Sequence, residues 1–287
     1  MKLATFSEAA GPTRIGIVVD DGVIDVARHD PDSPRDMIAL ITQWDAFRGR
    51  FEALASSQRA DLPLAAITLH APVGRPGKIF AIGLNYADHI AESGMAKPAD
   101  QLWFTKAVTS VNAPYAGIER PAVSTALDFE AELAFIVGKR GRHIGAERAK
   151  DFIFGYCVAD DVSVRDWQLK TSQFCLGKSF DTHCPIGPWI VTPDELGDPH
   201  DLGIRCIVNG EVRQNSNTRH LVFDCYAQLA HLSEAMTLEP GDLILTGTPG
   251  GVGAACKPPR WLVPGDVVRI EIDGIGHIEN RVVPEQG

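Results

Sequence analysis

The run Asp128-Phe129-Glu130-Ala131-Glu132-Leu133-Ala134-Phe135-Ile136-Val137 sets three carboxylates at alternate positions and ends in an unbroken apolar segment. Residues 129–137 read as a β-strand, because aromatic, β-branched and small apolar residues fill the segment and no Pro or Gly interrupts it before Gly138. Alternate side chains of a strand share a face, so Asp128, Glu130 and Glu132 are expected to point the same way. Neighbours about 7 Å apart repel by roughly 2–3 kcal/mol at an effective dielectric near 20. A buried strand holds that arrangement only with a counter-charge, and a hard divalent cation bound through oxygen supplies one. A solvated edge strand with an acidic outer face is the competing reading. The apolar continuation to Val137 favours burial.

The chain has 287 residues, 45% of them hydrophobic and 22% charged, enough for one large domain or a small one joined to a larger one. Its net charge of −10, without blocks of like charge, argues against a nucleic-acid partner. No apolar run reaches the length of a membrane span, and residues 1–8 do not resemble a secretory signal. The six cysteines are scattered without a Cys-x-x-Cys pair, which fits reduced thiols. Together these features predict a cytoplasmic protein without a membrane partner.

Residues 1–71 are expected to form a small N-terminal α/β domain. Residues 13–19 and 23–26 read as a β-hairpin turning at Asp21-Gly22, and residues 36–43 and 47–57 as two helices. The Pro- and Gly-bearing stretch 72–77 marks the boundary of a second domain, 72–287. That domain is strand-rich, with Asn209-Gly210 and Asp273-Gly274 as turn signals and one clear helix over 226–236. Strands and long helices do not alternate regularly, which counts against a doubly wound or TIM-barrel architecture.

Four further segments carry candidate chemistry. In Gly83-Leu84-Asn85-Tyr86-Ala87-Asp88-His89-Ile90-Ala91-Glu92-Ser93-Gly94, Asn85 is a candidate N-cap and Gly94 a candidate C-terminal stop for a two-turn helix. His89 and Glu92, three apart, share a face of it and suit a general-base pair, although a water-facing surface helix has the same pattern. Asp160 and Asp161 end a strand, and alternation lets only one of them face the site. Arg165 and Gln168 follow at helical spacing and could donate to an oxyanion, and Lys178 adds a cation; each taken singly also fits an ordinary surface polar residue. The loop 246–253 is Gly-rich, but it lacks a Gly-Lys-Ser/Thr ending and no helix follows it, so close approach to a small ligand is favoured over nucleotide binding.

Jointly the blocks Gly-Leu-Asn-Tyr-Ala-Asp-His (83–89), Asp-Phe-Glu-Ala-Glu-Leu (128–133), Gly-Lys-Ser-Phe-Asp-Thr (177–182) and Leu-Glu-Pro-Gly-Asp-Leu-Ile-Leu-Thr-Gly-Thr-Pro (238–249) resemble the fumarylacetoacetate hydrolase family over residues 79–283. The resemblance implies a strand-rich α+β chain with a mixed β-roll or sandwich-like catalytic domain, usually a homodimer, holding Mg²⁺ or Mn²⁺ on Glu130, Glu132 and Asp161. It implies His89 with Glu92 as the base pair, and Arg165, Gln168 and Lys178 as oxyanion and metal-shell positions. Tyr86, Lys106 and Thr248 are implied as substrate contacts. Two departures stand out: Leu84, where some members acting on oxaloacetate and acylpyruvates carry Arg, and the missing proline after Lys106. The implied reaction is hydrolysis of a carbon–carbon bond in a diketo acid of the acylpyruvate or fumarylpyruvate type. The alternatives are isomerisation or decarboxylation of hydroxydienedioates or oxaloacetate in aromatic-compound degradation, and a non-catalytic metal-binding module.

Overall fold

A computed structural model describes residues 1–9, 11–93 and 98–286. Two sheets dominate it. The larger runs in the order Leu62–Pro63, Gly22–Asp25, Arg14–Val19, Lys2–Ser7, Cys184–Val191, Ile153–Asp160, Ala131–Val137, Leu243–Leu245, Ile79–Gly83 and Leu102–Thr105. The second runs Glu211–Asn217, Gly203–Val208, Val267–Ile272, Gly276–Pro284 and Ile118–Arg120. Most neighbours are antiparallel, but Leu243–Leu245 lies parallel to Ile79–Gly83, and Gly276–Pro284 parallel to Ile118–Arg120. This is the strand-rich sandwich the sequence predicts.

The strand Ala131–Val137 is central and buried along its whole length. Leu133, Phe135 and Val137 face a core shared with Ile204, Ile270 and Ile278 of the second sheet. Ala134 and Ile136 face the opposite core, which Met37, Leu40 and Phe51 of the N-terminal helices complete. Each large side chain buried there contributes roughly 1.5–3 kcal/mol. Lys2–Ser7 pairs with Cys184–Val191, so residues 1–71 extend the same sheet that carries the acidic strand.

The two N-terminal helices are Met37–Thr42 and Trp44–Ser57, the first capped by Asp36, whose carboxylate accepts from the Ala39 amide. The hairpin turns at Asp20-Asp21 rather than Asp21-Gly22, because Gly22 already pairs with Val19 and Asp20 takes the left-handed φ of +48°. At Asn209-Gly210 both turn residues have positive φ, as a two-residue hairpin turn requires.

His183 is fully buried. Its Nε2 donates to the Glu119 carbonyl at 2.8 Å, and its Nδ1 has no hydrogen-bond partner. A second proton would sit on Nδ1 with no acceptor; burial, and then the Lys106 cation, pull the imidazole down to about 4. The unfolded chain takes up that proton near the ordinary pKa of about 6.5, while the folded chain resists until about pH 4. Stability from this group is therefore full above pH 6.5 and falls as the pH drops toward 4, by about 3 kcal/mol. A His183→Phe variant that folds should have a flatter urea-midpoint profile across that window; an equally steep profile would remove His183 as the cause.

Candidate active site

The acidic strand does not run unbroken from 129. Leu127–Asp128 pairs with Ser163–Val164 in a two-stranded ribbon, residues 129 and 130 leave the ladder, and the main strand starts at Ala131. Asp128 consequently parts from the other two acids. Its Oδ1 accepts from the amides of Phe129 (3.0 Å) and Gly253 (2.8 Å), and its Oδ2 from Ala254 N (2.9 Å) and Arg165 Nε (2.8 Å). It anchors Arg165 and the 253–254 backbone.

Glu130, Glu132 and Asp161 converge, with one carboxylate oxygen from each lying within 4.8 Å of the others, all buried. Asp160 faces elsewhere: its Oδ1 accepts from the Glu130 amide at 2.9 Å, and burial pushes its carboxyl up to about 8. Three side-chain cations neutralise much of the cluster. Lys178 Nζ bridges Glu130 Oε2 (2.7 Å) and Asp161 Oδ2 (2.6 Å), and Lys106 Nζ meets Asp161 Oδ1 at 2.7 Å. Arg165 Nη1 meets Glu130 Oε1 at 2.6 Å. The counter-charge expected from a metal is thus supplied in large part by two lysines and an arginine. Burial raises the Glu130 carboxyl, but Lys178 and Arg165 outweigh it and hold it at about 2.

Glu132 differs. Its Oε2 accepts from the Gly247 amide at 2.6 Å, and no cation contacts it among the described residues. Burial, with repulsion from Asp161 and Glu130, drives its carboxyl well above the usual range. Three buried carboxylates, one lacking a partner cation, form an oxygen donor set suited to Mg²⁺ or Mn²⁺. The residues present therefore fit a divalent ion.

Beside the triad lies a cavity of about 630 Å³. His89, Glu92, Glu130, Arg165, Gln168, Lys178 and Thr248 line it, with an apolar wall that includes Leu84, Leu102, Phe104 and Phe174 and with Lys257 nearby. Gln168 Oε1 accepts from Arg165 Nη1 at 2.9 Å, which leaves its amide group free to donate. A Cβ at Gly177 would fall 2.1 Å from the Gln168 backbone nitrogen, so only glycine lets the segments that carry Lys178 and Gln168 approach so closely.

His89 and Glu92 sit on the helix Ala87–Ser93, but no bond joins their side chains here. Burial lowers the His89 pKa, and its Nδ1 has no hydrogen-bond partner among the described residues. Glu92 Oε2 accepts from the Gly251 amide, and Asp88 Oδ2 accepts from Ser216 Oγ at 2.7 Å, which docks the helix. Asn85 is not its cap. Its Nδ2 donates to Phe223 O (2.9 Å) and Thr246 O (2.8 Å), and its Oδ1 accepts from Phe223 N (2.9 Å). Gly94, the expected stop, lies outside the described residues.

Two expected substrate contacts lie away from the cavity wall. Lys106 is buried beneath Asp161 and also donates to Val162 O, at 3.3 Å. Tyr86 is fully buried with an unpartnered hydroxyl, and burial, with the nearby Glu132 charge, raises its pKa. One residue escaped the sequence reading. Gln214 is buried, its Oε1 accepts from the Ala131 amide between two of the acids at 2.9 Å, and its Nε2 donates to Thr248 Oγ1 and Pro249 O, both at 2.8 Å. A strand position that alternates inward was its only sequence signal.

Residues 78–283 match the family model described as fumarylacetoacetate (FAA) hydrolase, C-terminal. The chain belongs to the fumarylacetoacetate hydrolase family, and it is an enzyme that acts on small molecules. It is 45% identical over 288 residues to the mitochondrial oxaloacetate tautomerase fahd2 of Xenopus laevis, covering 99% of this chain and 90% of that relative. Among solved structures it is similar to maleylpyruvate hydrolase from Sphingobium sp. SYK-6 in complex with manganese(II) and pyruvate, with a TM-score of 0.84, 36% identity and full coverage of both chains. A 2-hydroxyhepta-2,4-diene-1,7-dioate isomerase from Mycobacterium marinum superposes with a TM-score of 0.78 at 34% identity, again over both whole chains. The cytoplasmic location expected from the N-terminus and the cysteines is overturned, because highly similar relatives such as the Xenopus protein are mitochondrial by name. All six cysteines are free, and no helix among the described residues is long and apolar enough to cross a membrane.

Proposed function

We propose that the protein interconverts the keto and enol forms of a small 2-oxo dicarboxylic acid such as oxaloacetate, using Mg²⁺ or Mn²⁺ held by Glu130, Glu132 and Asp161. The observation that carries this reading is His89: a partly buried imidazole on the cavity wall, its pKa lowered, its Nδ1 buried and without a hydrogen-bond partner among the described residues, and its neighbouring carboxylate Glu92 engaged by Gly251. A neutral imidazole can take a proton from the carbon beside a ketone and return one to it. The 45% identity to an oxaloacetate tautomerase over nearly the whole chain supports the same reaction. A bound divalent ion would polarise the ketone and offset charge developing on its oxygen. Lys178, Arg165 and Gln168 present donors along the same wall, suited to hold the carboxylate and the enol oxygen in one plane. Lys257 supplies a cation for the distal carboxylate. Thr248 contributes a hydroxyl steadied by Gln214. A homodimer, as the family resemblance implies, is part of this proposal.

Hydrolytic cleavage of an acylpyruvate-type diketo acid is the second reading, favoured by the apolar wall and by the likeness to a maleylpyruvate hydrolase. It requires Glu92 to leave Gly251 and orient His89 toward water. The two readings separate by isotope. With either metal, purified protein is expected to speed loss of the enol absorbance of freshly dissolved oxaloacetate and to exchange the adjacent carbon-bound hydrogen with deuterated solvent. It should cleave no diketo acid. No effect on enol decay, together with heavy oxygen from labelled water entering a carboxylate product of an acylpyruvate, would replace tautomerisation by hydrolysis.

A further inference from the structure

A second cavity, of about 540 Å³, shares Pro259 with the catalytic one. Arg120, Arg213 and Arg260 line it, against a single acid, Asp266. That acid is already committed, with Oδ1 accepting from Asn209 Nδ2 and Oδ2 from Val263 N, both at 2.8 Å. Arg260 is also satisfied, since both its Nη atoms meet the Glu211 carboxylate, at 2.8 and 3.0 Å. The other two arginines are not. The buried Nε of Arg213 reaches Glu211 Oε1 only at 3.5 Å and has no hydrogen-bond partner among the described residues. Arg120 makes no ion pair among the described residues, and its Nε is likewise buried and unpartnered. Buried donors are almost always paired, and two such guanidinium groups around one cavity call for an anion.

We propose that this cavity binds a small organic polyanion, a di- or tricarboxylate. The charge count sets the class, because one unpaired guanidinium, on Arg120, and one only loosely paired, on Arg213, match two carboxylates where a monoanion would serve just one. Trp261 and Phe129 give the cavity an apolar side for the carbon skeleton. The site also adjoins the catalytic loop: a Cβ at Gly251 would fall 2.1 Å from the Arg213 carbonyl oxygen, and the next residue, Gln214, holds Thr248. Its occupancy does not depend on which reaction the enzyme performs.

The test is calorimetric titration of the full-length protein at fixed ionic strength with tricarballylate, succinate, inorganic phosphate and acetate. One site per chain is expected that binds tricarballylate or succinate at least tenfold more tightly than acetate. Arg120→Gln and Arg213→Gln should each weaken it tenfold or more, while Glu132→Ala leaves it intact. Should Arg213→Gln fail to fold, Arg120→Gln, whose guanidinium holds no ion pair, decides alone. Unchanged affinity in Arg120→Gln, or loss of binding in Glu132→Ala, would overturn the assignment, the latter by moving the anion to the catalytic cavity. Phosphate bound more tightly than both carboxylates would overturn the ligand class. Absence of anion binding, with the Arg120→Gln variant shifted to a smaller species in sedimentation, would instead give these arginines to a second copy of the chain.

Discussion

A Lys178→Met variant is expected to lose about 3–5 kcal/mol of folding stability in the presence of a chelator, and to regain part of it when Mg²⁺ or Mn²⁺ is added. Lys178 is 1% exposed and its ammonium touches both Glu130 and Asp161, so its loss leaves two buried carboxylates short of a partner. Methionine fills similar space without charge, which isolates electrostatics from packing. The carboxylates have one partial escape, taking up a proton, and this keeps the cost near the lower end of the range. A divalent cation that binds only the folded chain at a hundred times its Kd adds about 2.7 kcal/mol. It should help the variant more than the parent, because it replaces the missing charge. Urea unfolding with chelator and with metal measures both effects. Equal midpoints for parent and variant in chelator would mean that Lys178 does not balance the acids. Catalysis should be lost in either condition, since the donor at that place on the cavity wall is gone.

His89→Ala is expected to reduce turnover by about 10²–10⁴-fold, the usual contribution of a positioned acid–base group. Divalent-metal affinity should stay unchanged, because His89 is outside the carboxylate triad. The pH profile gives an independent check with a definite sign. Burial favours the uncharged ring and moves its pKa below the ordinary value, and the Arg165 and Lys178 cations push the same way against Glu130 and Glu92. The basic form therefore persists below pH 6.5, and the acid limb of kcat/KM should fall at lower pH than a free imidazole would give. A limb above 6.5, or a variant with full activity, would assign the proton transfer to another group.

Local signals carried a large part of this architecture. Asn209-Gly210 is a two-residue turn because both residues tolerate positive φ, and Asp36 caps its helix because its carboxylate reaches back to a free amide. The converging acids were legible only in part: strand alternation put Glu130 and Glu132 on one face but added Asp128, and only the family blocks singled out Asp161 over Asp160. What escaped depends on distant segments. Asn85 reads as a helix cap from its neighbours, yet its partners lie 138 and 161 residues away. Gln214 bonds Ala131 across 83 residues, and no local pattern marks it. Lys106 is expected as a substrate contact only through the family resemblance, and its ammonium turns inward to Asp161, 55 residues on, which offers a buried charge. The departure of residues 129 and 130 from the ladder follows from the anchoring of Asp128 by the 253–254 backbone, again a contact between remote parts of the chain.

Leu3, Ile17, Leu40 and Phe51 belong to one hydrophobic cluster with Ala134, Ile136 and Ile190. Ala134 and Ile136 stand on the strand that holds Glu132, so the outer layer of the protein leans directly on the back of the strand that supplies one of the three converging acids. Melting of that layer is therefore expected to loosen the strand that carries Glu132 as well. A truncation at Phe51, far from any carboxylate of the triad, would lower the fraction of molecules able to turn over substrate while leaving the survivors with unaltered kinetics.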